Sequence, residues 1–203
     1  MYIPPAFAEN RPEQLLAIMR AASLPILVSP TAAGLAITHM PLHIAGPDRL
    51  IGHVARANPH WQDFLPHAQS VAIFTAGDGY VSPSWYPTKA ETGKVVPTWN
   101  YQAVHATGVL EVIDDPAALL AIVTTLTAQH ESGRTKPWAV SDAPADYIAA
   151  QLKGIIGLVL HVTNLEGKVK LSQNKSMTDR LGVADGMTKE NPALAEATRK
   201  TFR

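Results

Sequence analysis

Hydrophobic and polar positions alternate along this chain in two rhythms, one helical and one extended. After Asn10-Arg11-Pro12-Glu13, residues Leu15, Leu16, Ile18 and Met19 share one helical face. Asn10 is placed to cap that helix, Pro12 suits its first turn, and Pro25 ends it. Residues 26–28 and 35–39 are short β-like runs joined by a turn over 30–34, which predicts a hairpin. A further strand is predicted over 50–54, followed by a short helix within 55–65 that starts at Asn58-Pro59. Residues 70–76 are strongly apolar and strand-like, and Gly77-Asp78-Gly79 predicts a turn after them. A long strand is expected over 102–113, which Asp114-Asp115-Pro116 ends while opening a helix over 116–130. Leu119, Leu120, Ile122, Val123 and Leu126 give that helix a wide apolar face. A polar loop at 131–144 leads to a short helix at 145–152 and a strand at 155–165. Glu166-Gly167 reads as a turn into 168–171, and a last helix is capped at Asn191-Pro192 and runs through Thr201.

Strands therefore dominate the middle in hairpin-like succession while helices flank them. Alternating β–α–β units are absent, which argues against a parallel doubly wound sheet. The pattern predicts an antiparallel β-barrel with peripheral helices, an α+β fold. Residues 1–203 are expected to form one domain, with 187–203 a C-terminal helical extension.

Composition narrows the function classes. Seventeen Lys and Arg balance seventeen Asp and Glu, so no net charge draws the chain toward nucleic acid or an anionic membrane. Cysteine is absent, which excludes disulfides, thiol catalysis and thiolate metal sites. The start, Met1-Tyr2-Ile3-Pro4-Pro5, lacks the pattern of a signal peptide, and no apolar run is long enough to span a membrane. The expectation is a soluble, cytoplasmic protein. Nucleophile-elbow, phosphate-loop and zinc-protease motifs are missing. The eight histidines show no compact ligand spacing beside carboxylates, so no metal site is predicted.

Three stretches concentrate useful chemistry. Residues 80–108 hold Ser82-Pro83-Ser84-Trp85-Tyr86 and Val96-Pro97-Thr98-Trp99-Asn100-Tyr101 around a polar connection. Aromatic faces with hydroxyls and prolines suit a stiff ligand wall, and equally suit packing at strand ends. Residues 50–61 run from a strand into a helix start, where Arg56 offers a planar, permanent charge for a phosphate. Residues 168–175 leave a strand with three lysines and the amide pair Gln173-Asn174, a dense set of donors.

Five blocks in order carry a likeness: Thr38-His39-Met40-Pro41-Leu42, the stretch 52–59, Ser82-Pro83-Ser84-Trp85-Tyr86, the stretch 96–101, and Lys170-Leu171-Ser172-Gln173-Asn174. Together they resemble the PaiB family of FMN-binding negative transcriptional regulators, over residues 1 to about 186. The resemblance implies an antiparallel split β-barrel related to pyridoxamine phosphate oxidase-like flavoproteins, with FMN as cofactor and a homodimer whose sites lie at the subunit interface. Lys175 stands where arginine is common in the family, keeping the charge without the bidentate fork. By that likeness His53 and Arg56 hold the phosphate, with Thr38 and His39 alongside. Ser82, Ser84 and Trp85 line the ring or ribityl chain, and Trp99, Asn174 and Lys175 approach from the partner. A neutral chain without a helix-turn-helix has no evident DNA reader, so regulation is expected to act through the flavin or a partner. Two alternatives stand beside it, an FMN-dependent oxidoreductase with a nicotinamide donor and a haem-binding split barrel. For the former, His39 and Tyr86 are the side chains to mutate first.

Overall fold

A computed structural model describes residues 1–202. The strands are β1 (Ala8–Glu9), β2 (Ile26–Thr31), β3 (Gly34–His39), β4 (His43–Gly46), β5 (Arg49–Ala55), β6 (Gln69–Val81), β7 (Thr98–Ile113) and β8 (Ile155–Lys170). The helices are α1 (Pro12–Ala21), α2 (His60–Asp63), α3 (Lys89–Thr92), α4 (Pro116–Glu131), α5 (Ala145–Leu152), α6 (Met177–Glu190) and α7 (Pro192–Lys200). The hydrogen-bonded strand order is β3-β2-β6-β7-β8-β5-β4, with β1 added to β8, and the sheet does not close on itself. This is the antiparallel split barrel with helices that the alternation of the sequence predicts.

Several boundaries follow from local chemistry. The Asp115 side chain accepts from the Ala118 amide, and with Pro116 in the first turn this starts α4. Asn191 caps α7 in the same way, accepting from Leu194 N at 3.1 Å. At α1 the expectation fails: the cap position is Arg11, whose guanidinium has no acceptor to offer and pairs with Glu9, and no side chain caps the helix.

The predicted hairpin forms as β2 and β3, in the register Ile26↔His39 to Thr31↔Gly34. Two predicted turns are instead continuous strand. Gly77-Asp78-Gly79 lies inside β6, where Gly77 takes a φ of +80° that few other residues adopt, and Glu166-Gly167 lies inside β8. Tertiary pairing outweighs the local turn signal, since Gly167 faces Glu9 of β1 across the ladder. Strand β4 and helix α6 were not predicted at all.

The chain falls into two compact units. One comprises Met1–Ala22, Phe74–His105 and the described residues from Glu166 onward; the other comprises Ser23–Ile73 and Ala106–Leu165. In the first, Val81, Tyr86, Leu171, Val183, Met187, Leu194 and Ala195 form a buried cluster to which Trp85 and Val169 are added. In the second, Leu50, Val54, Leu119, Ile122, Ile156 and Leu158 are buried. Helix α4 sits close to β8 there because Gly157 has no side chain, and a Cβ would come within 2.9 Å of Ile122 Cδ1.

Candidate functional site

In the second unit, four residues of interest lie on or just after β3 and β5. Thr38 is at the end of β3, half-buried, and its hydroxyl meets His60 Nδ1 at 2.8 Å and receives Asn58 Nδ2 at 3.3 Å. Asn58 is fixed in turn because its Oδ1 accepts the His60 amide at 3.0 Å. His60 is fully buried and reaches Ser29 Oγ through Nε2 at 2.8 Å, and Ser70 donates to Ser29 at 2.7 Å. His39 is exposed at the strand end.

Arg56 follows β5 and is heavily engaged. Its Nε donates to Lys153 O at 2.8 Å, Nη1 to Asp114 Oδ2 at 2.9 Å, and Nη2 to Asp114 Oδ1 and to Ile155 O. Of the guanidinium's five N–H groups, one on Nη1 remains for another acceptor. The Asp114 carboxylate beside it raises the guanidinium pKa further and is itself held below the usual carboxylate range. The structure therefore gives Arg56 a bracing role that sequence reasoning did not foresee, joining the end of β5 to the residue after β7 and to the entry of β8. Helix α2 spans only four residues, so it supplies no helix terminus for an anion.

His53 points to the same side of the sheet as its partner Gly157 on β8. Its Nδ1 is buried without a hydrogen-bond partner, and burial lowers its pKa.

In the first unit, Ser82 and Ser84 hold a 3-10 turn at Pro83–Trp85: their hydroxyls lie 2.6 Å apart and Ser84 N donates to Ser82 Oγ at 3.2 Å. Trp85 packs against α6, where a Cβ on Gly186 would come within 2.5 Å of Trp85 Cε2. Trp99 is 54% exposed and meets Tyr80, 43% exposed, edge to face at 6.0 Å. Asn174 is exposed in the turn after β8. Lys175 holds its ammonium 5.2 Å from the centre of the Tyr86 ring.

Two more lysines on one face of β8 escaped notice as individuals. Lys168 Nζ donates to Tyr2 O at 3.0 Å between the Tyr2 and Tyr101 rings, and Lys170 Nζ donates to Thr98 Oγ1 at 2.6 Å and to Trp99 O. Burial, then Lys168 and Lys175, lower the Lys170 pKa. Among the described residues none of these three lysines has a carboxylate partner. The alternation Lys168-Val169-Lys170 was the signal that both face one way.

Burial also lowers the pKa of His60, against the weaker pull of Asp63, and of His105, aided by the N-terminal amine. With His53, three histidines thus resist protonation when folded. Unfolded, each takes up a proton near its ordinary pKa of about 6.5. Their contribution to stability is present above that value and is lost as pH falls through the lower folded values. Glu9, held low by Arg11, adds loss at more acidic pH. Urea midpoints should hold steady from pH 8 to 7 and fall progressively below pH 6. A midpoint unchanged down to pH 5 would contradict this.

The unclosed antiparallel barrel is the fold of the split-barrel flavoproteins. The donors fit such a cofactor: Thr38, His39 and His53 carry no negative charge, the Asp114 carboxylate is paired with Arg56, which keeps one free N–H, and the unpartnered His53 Nδ1 is one available group. Residues 1–164 match the family described as "Putative FMN-binding domain", and the chain belongs to that family, whose cofactor is FMN. It is 30% identical over 196 residues to the protease synthase and sporulation protein PAI 2 of Bacillus subtilis (strain 168), covering 95% of this chain and 92% of that one. It is thus a PaiB-like FMN-binding protein. Among solved structures, the flavocytochrome Anf3 from Azotobacter vinelandii superposes with a TM-score of 0.60 at 18% identity, over 81% of this chain and 69% of that one. The FAD and heme binding protein from Mycobacterium smegmatis gives 0.59 at 20% identity, over 80% and 73%. These two share the fold. No helix among the described residues is long and apolar enough to cross a membrane.

Proposed function

We propose that this chain binds FMN as a homodimer and regulates through its flavin state instead of by reading DNA. The observation that carries the reading is the match of the FMN-binding family over residues 1–164, which contains eight of the ten residues expected at the cofactor. Thr38, His39, His53 and Arg56 take the phosphate end, Ser82, Ser84 and Trp85 serve the ring or ribityl side, and Trp99, Asn174 and Lys175 are contributed by a second copy. The exposed Trp99–Tyr80 pair supports this last assignment, because a large aromatic surface in water gains free energy when a flat ring or a partner covers it. Bound FMN supplies one- and two-electron redox chemistry, and the chain supplies positioning and exclusion of water. Equal numbers of acidic and basic residues support indirect action, since a DNA reader gains most of its affinity from neutralising phosphates.

Absorbance of the freshly purified protein, alone and titrated with FMN, tests the reading. A flavin spectrum or saturable FMN binding is expected, with a sedimentation mass of a dimer; a Soret band without flavin binding would favour the haem alternative. Bleaching of bound flavin by NADH or NADPH without oxygen would move the protein to the oxidoreductase class. Arg56→Ala should weaken FMN by about tenfold, the loss of one charge-assisted contact. Unchanged affinity would leave Arg56 with its bracing role alone.

A further inference from the structure

Hydrogen-bond accounting around His60 fixes the direction of each proton. Ser70 Oγ donates to Ser29 Oγ, and both serines are buried. The Ser29 proton then has one acceptor available among the described residues, His60 Nε2 at 2.8 Å. Were Nε2 protonated instead, Ser29 would accept twice while its own proton stayed buried and unpaired, a costly arrangement. Nε2 is therefore an acceptor, and the neutral imidazole carries its proton on Nδ1. Nδ1–H donates to Thr38 Oγ1 at 2.8 Å. Thr38 accepts a second time, from Asn58 Nδ2, whose amide orientation is set by the His60 backbone N–H. Both lone pairs of the Thr38 hydroxyl are thereby used. Its one proton has no acceptor among the described residues, and the side chain is only half-buried.

We propose that Thr38 is an obligate hydrogen-bond donor, its direction imposed by the buried relay Ser70–Ser29–His60 and by Asn58, and that its ligand is an acceptor-only oxyanion of the phosphate-ester class. Ser29, His60 and Asn58 are positioning residues: they touch no ligand, and they deny Thr38 the acceptor role. A site so wired favours a group bearing lone pairs and no protons, and disfavours a hydroxyl that must donate in its turn. Naming the phosphate as that of FMN rests on the function proposed above; the proton directions do not.

Two measurements decide it. In ligand-free protein, ¹⁵N–¹H correlation of the histidine side chains should show His60 as the Nδ1–H tautomer, and Ser29→Ala should move the Nε2 resonance by removing its donor while Nδ1 stays protonated. In binding, Thr38→Val, which keeps the shape and removes the hydroxyl, should weaken FMN by about tenfold to a hundredfold and riboflavin by less than about twofold. Thr38→Ser should restore FMN. An Nε2–H tautomer in the wild type overturns the proposal, as does an equal effect of Thr38→Val on FMN and riboflavin, or no effect on either. Wild-type protein that binds neither flavin would sink the FMN reading, while the tautomer measurement still decides the donor assignment.

Discussion

Gly108→Ala is expected to cost about 3 kcal/mol or more, enough to leave a protein of ordinary stability largely unfolded on mild heating. Gly108 lies within the sixteen-residue strand β7. A Cβ there would overlap the carbonyl oxygen of His161 and stand 2.7 Å from its carbonyl carbon and 3.0 Å from Val162 Cα. All three are backbone atoms of β8, so no rotamer change relieves the clash. The neighbouring pairing is fixed on both sides: Val162 N donates to Asp48 O at 2.7 Å, and Thr163 Oγ1 donates to Thr107 O at 3.2 Å. Relief requires β7 and β8 to separate, at the loss of ladder bonds. Gly133→Ala is the control, since nothing lies within 4 Å of its added methyl. Urea unfolding of the two variants checks the contrast, and a Gly108→Ala midpoint equal to that of Gly133→Ala would refute it.

That glycine shows what a sequence can and cannot disclose. Hydrophobic alternation finds β7 because every second residue must face a core, but it cannot say which glycine meets a partner's backbone, since that depends on non-local register. The hairpin of β2 and β3, the long helix α4 and the capped α7 were legible because each has its own start and stop chemistry. Helix α6 was missed although Ser176 caps it, accepting from the Asp179 amide: Gly182 and Gly186 interrupt its apolar pattern, and Trp85 packs where their side chains would stand. The turn readings at 77–79 and 166–167 failed for the converse reason, a strong local signal overridden by strand pairing. At the candidate site, the residue types around Arg56 and Thr38 stood out in the sequence. Their partners did not. Asp114 is 58 positions from Arg56, and Ser29, His60 and Ser70 meet only after β2, α2 and β6 assemble. The fate of an arginine's five donors is a tertiary property, and it is what separates a free phosphate receptor from a brace.

Gly186→Ala carries the second large effect, about 2 kcal/mol of destabilisation despite the gain of roughly 1 kcal/mol that alanine brings to a helix interior. Its methyl would be driven into the Trp85 ring, within 2.5 Å of Cε2, and a Cβ at Gly182 one turn earlier would overlap the Trp85 carbonyl oxygen and come within 2.9 Å of Pro87 Cδ. The indole is thus trapped between a helix that admits no side chain and its own 3-10 turn, whose Ser82 and Ser84 bonds resist retreat. Tyr86 follows immediately, fully buried, and Lys175 stands over its ring, so a displaced Trp85 disturbs the turn that carries three of the residues assigned to the flavin. A double-mutant cycle separates packing from ligand contact. If the ring's main partner is α6, Gly186→Ala becomes harmless in a Trp85→Ala background, where the methyl has room, and the two changes couple by more than about 1 kcal/mol. If Trp85 acts chiefly as a wall for the cofactor, the two stability losses add, while Trp85→Ala alone weakens FMN. Urea midpoints and FMN titration on the same four proteins therefore distinguish a tryptophan that holds the helix from one that holds the flavin.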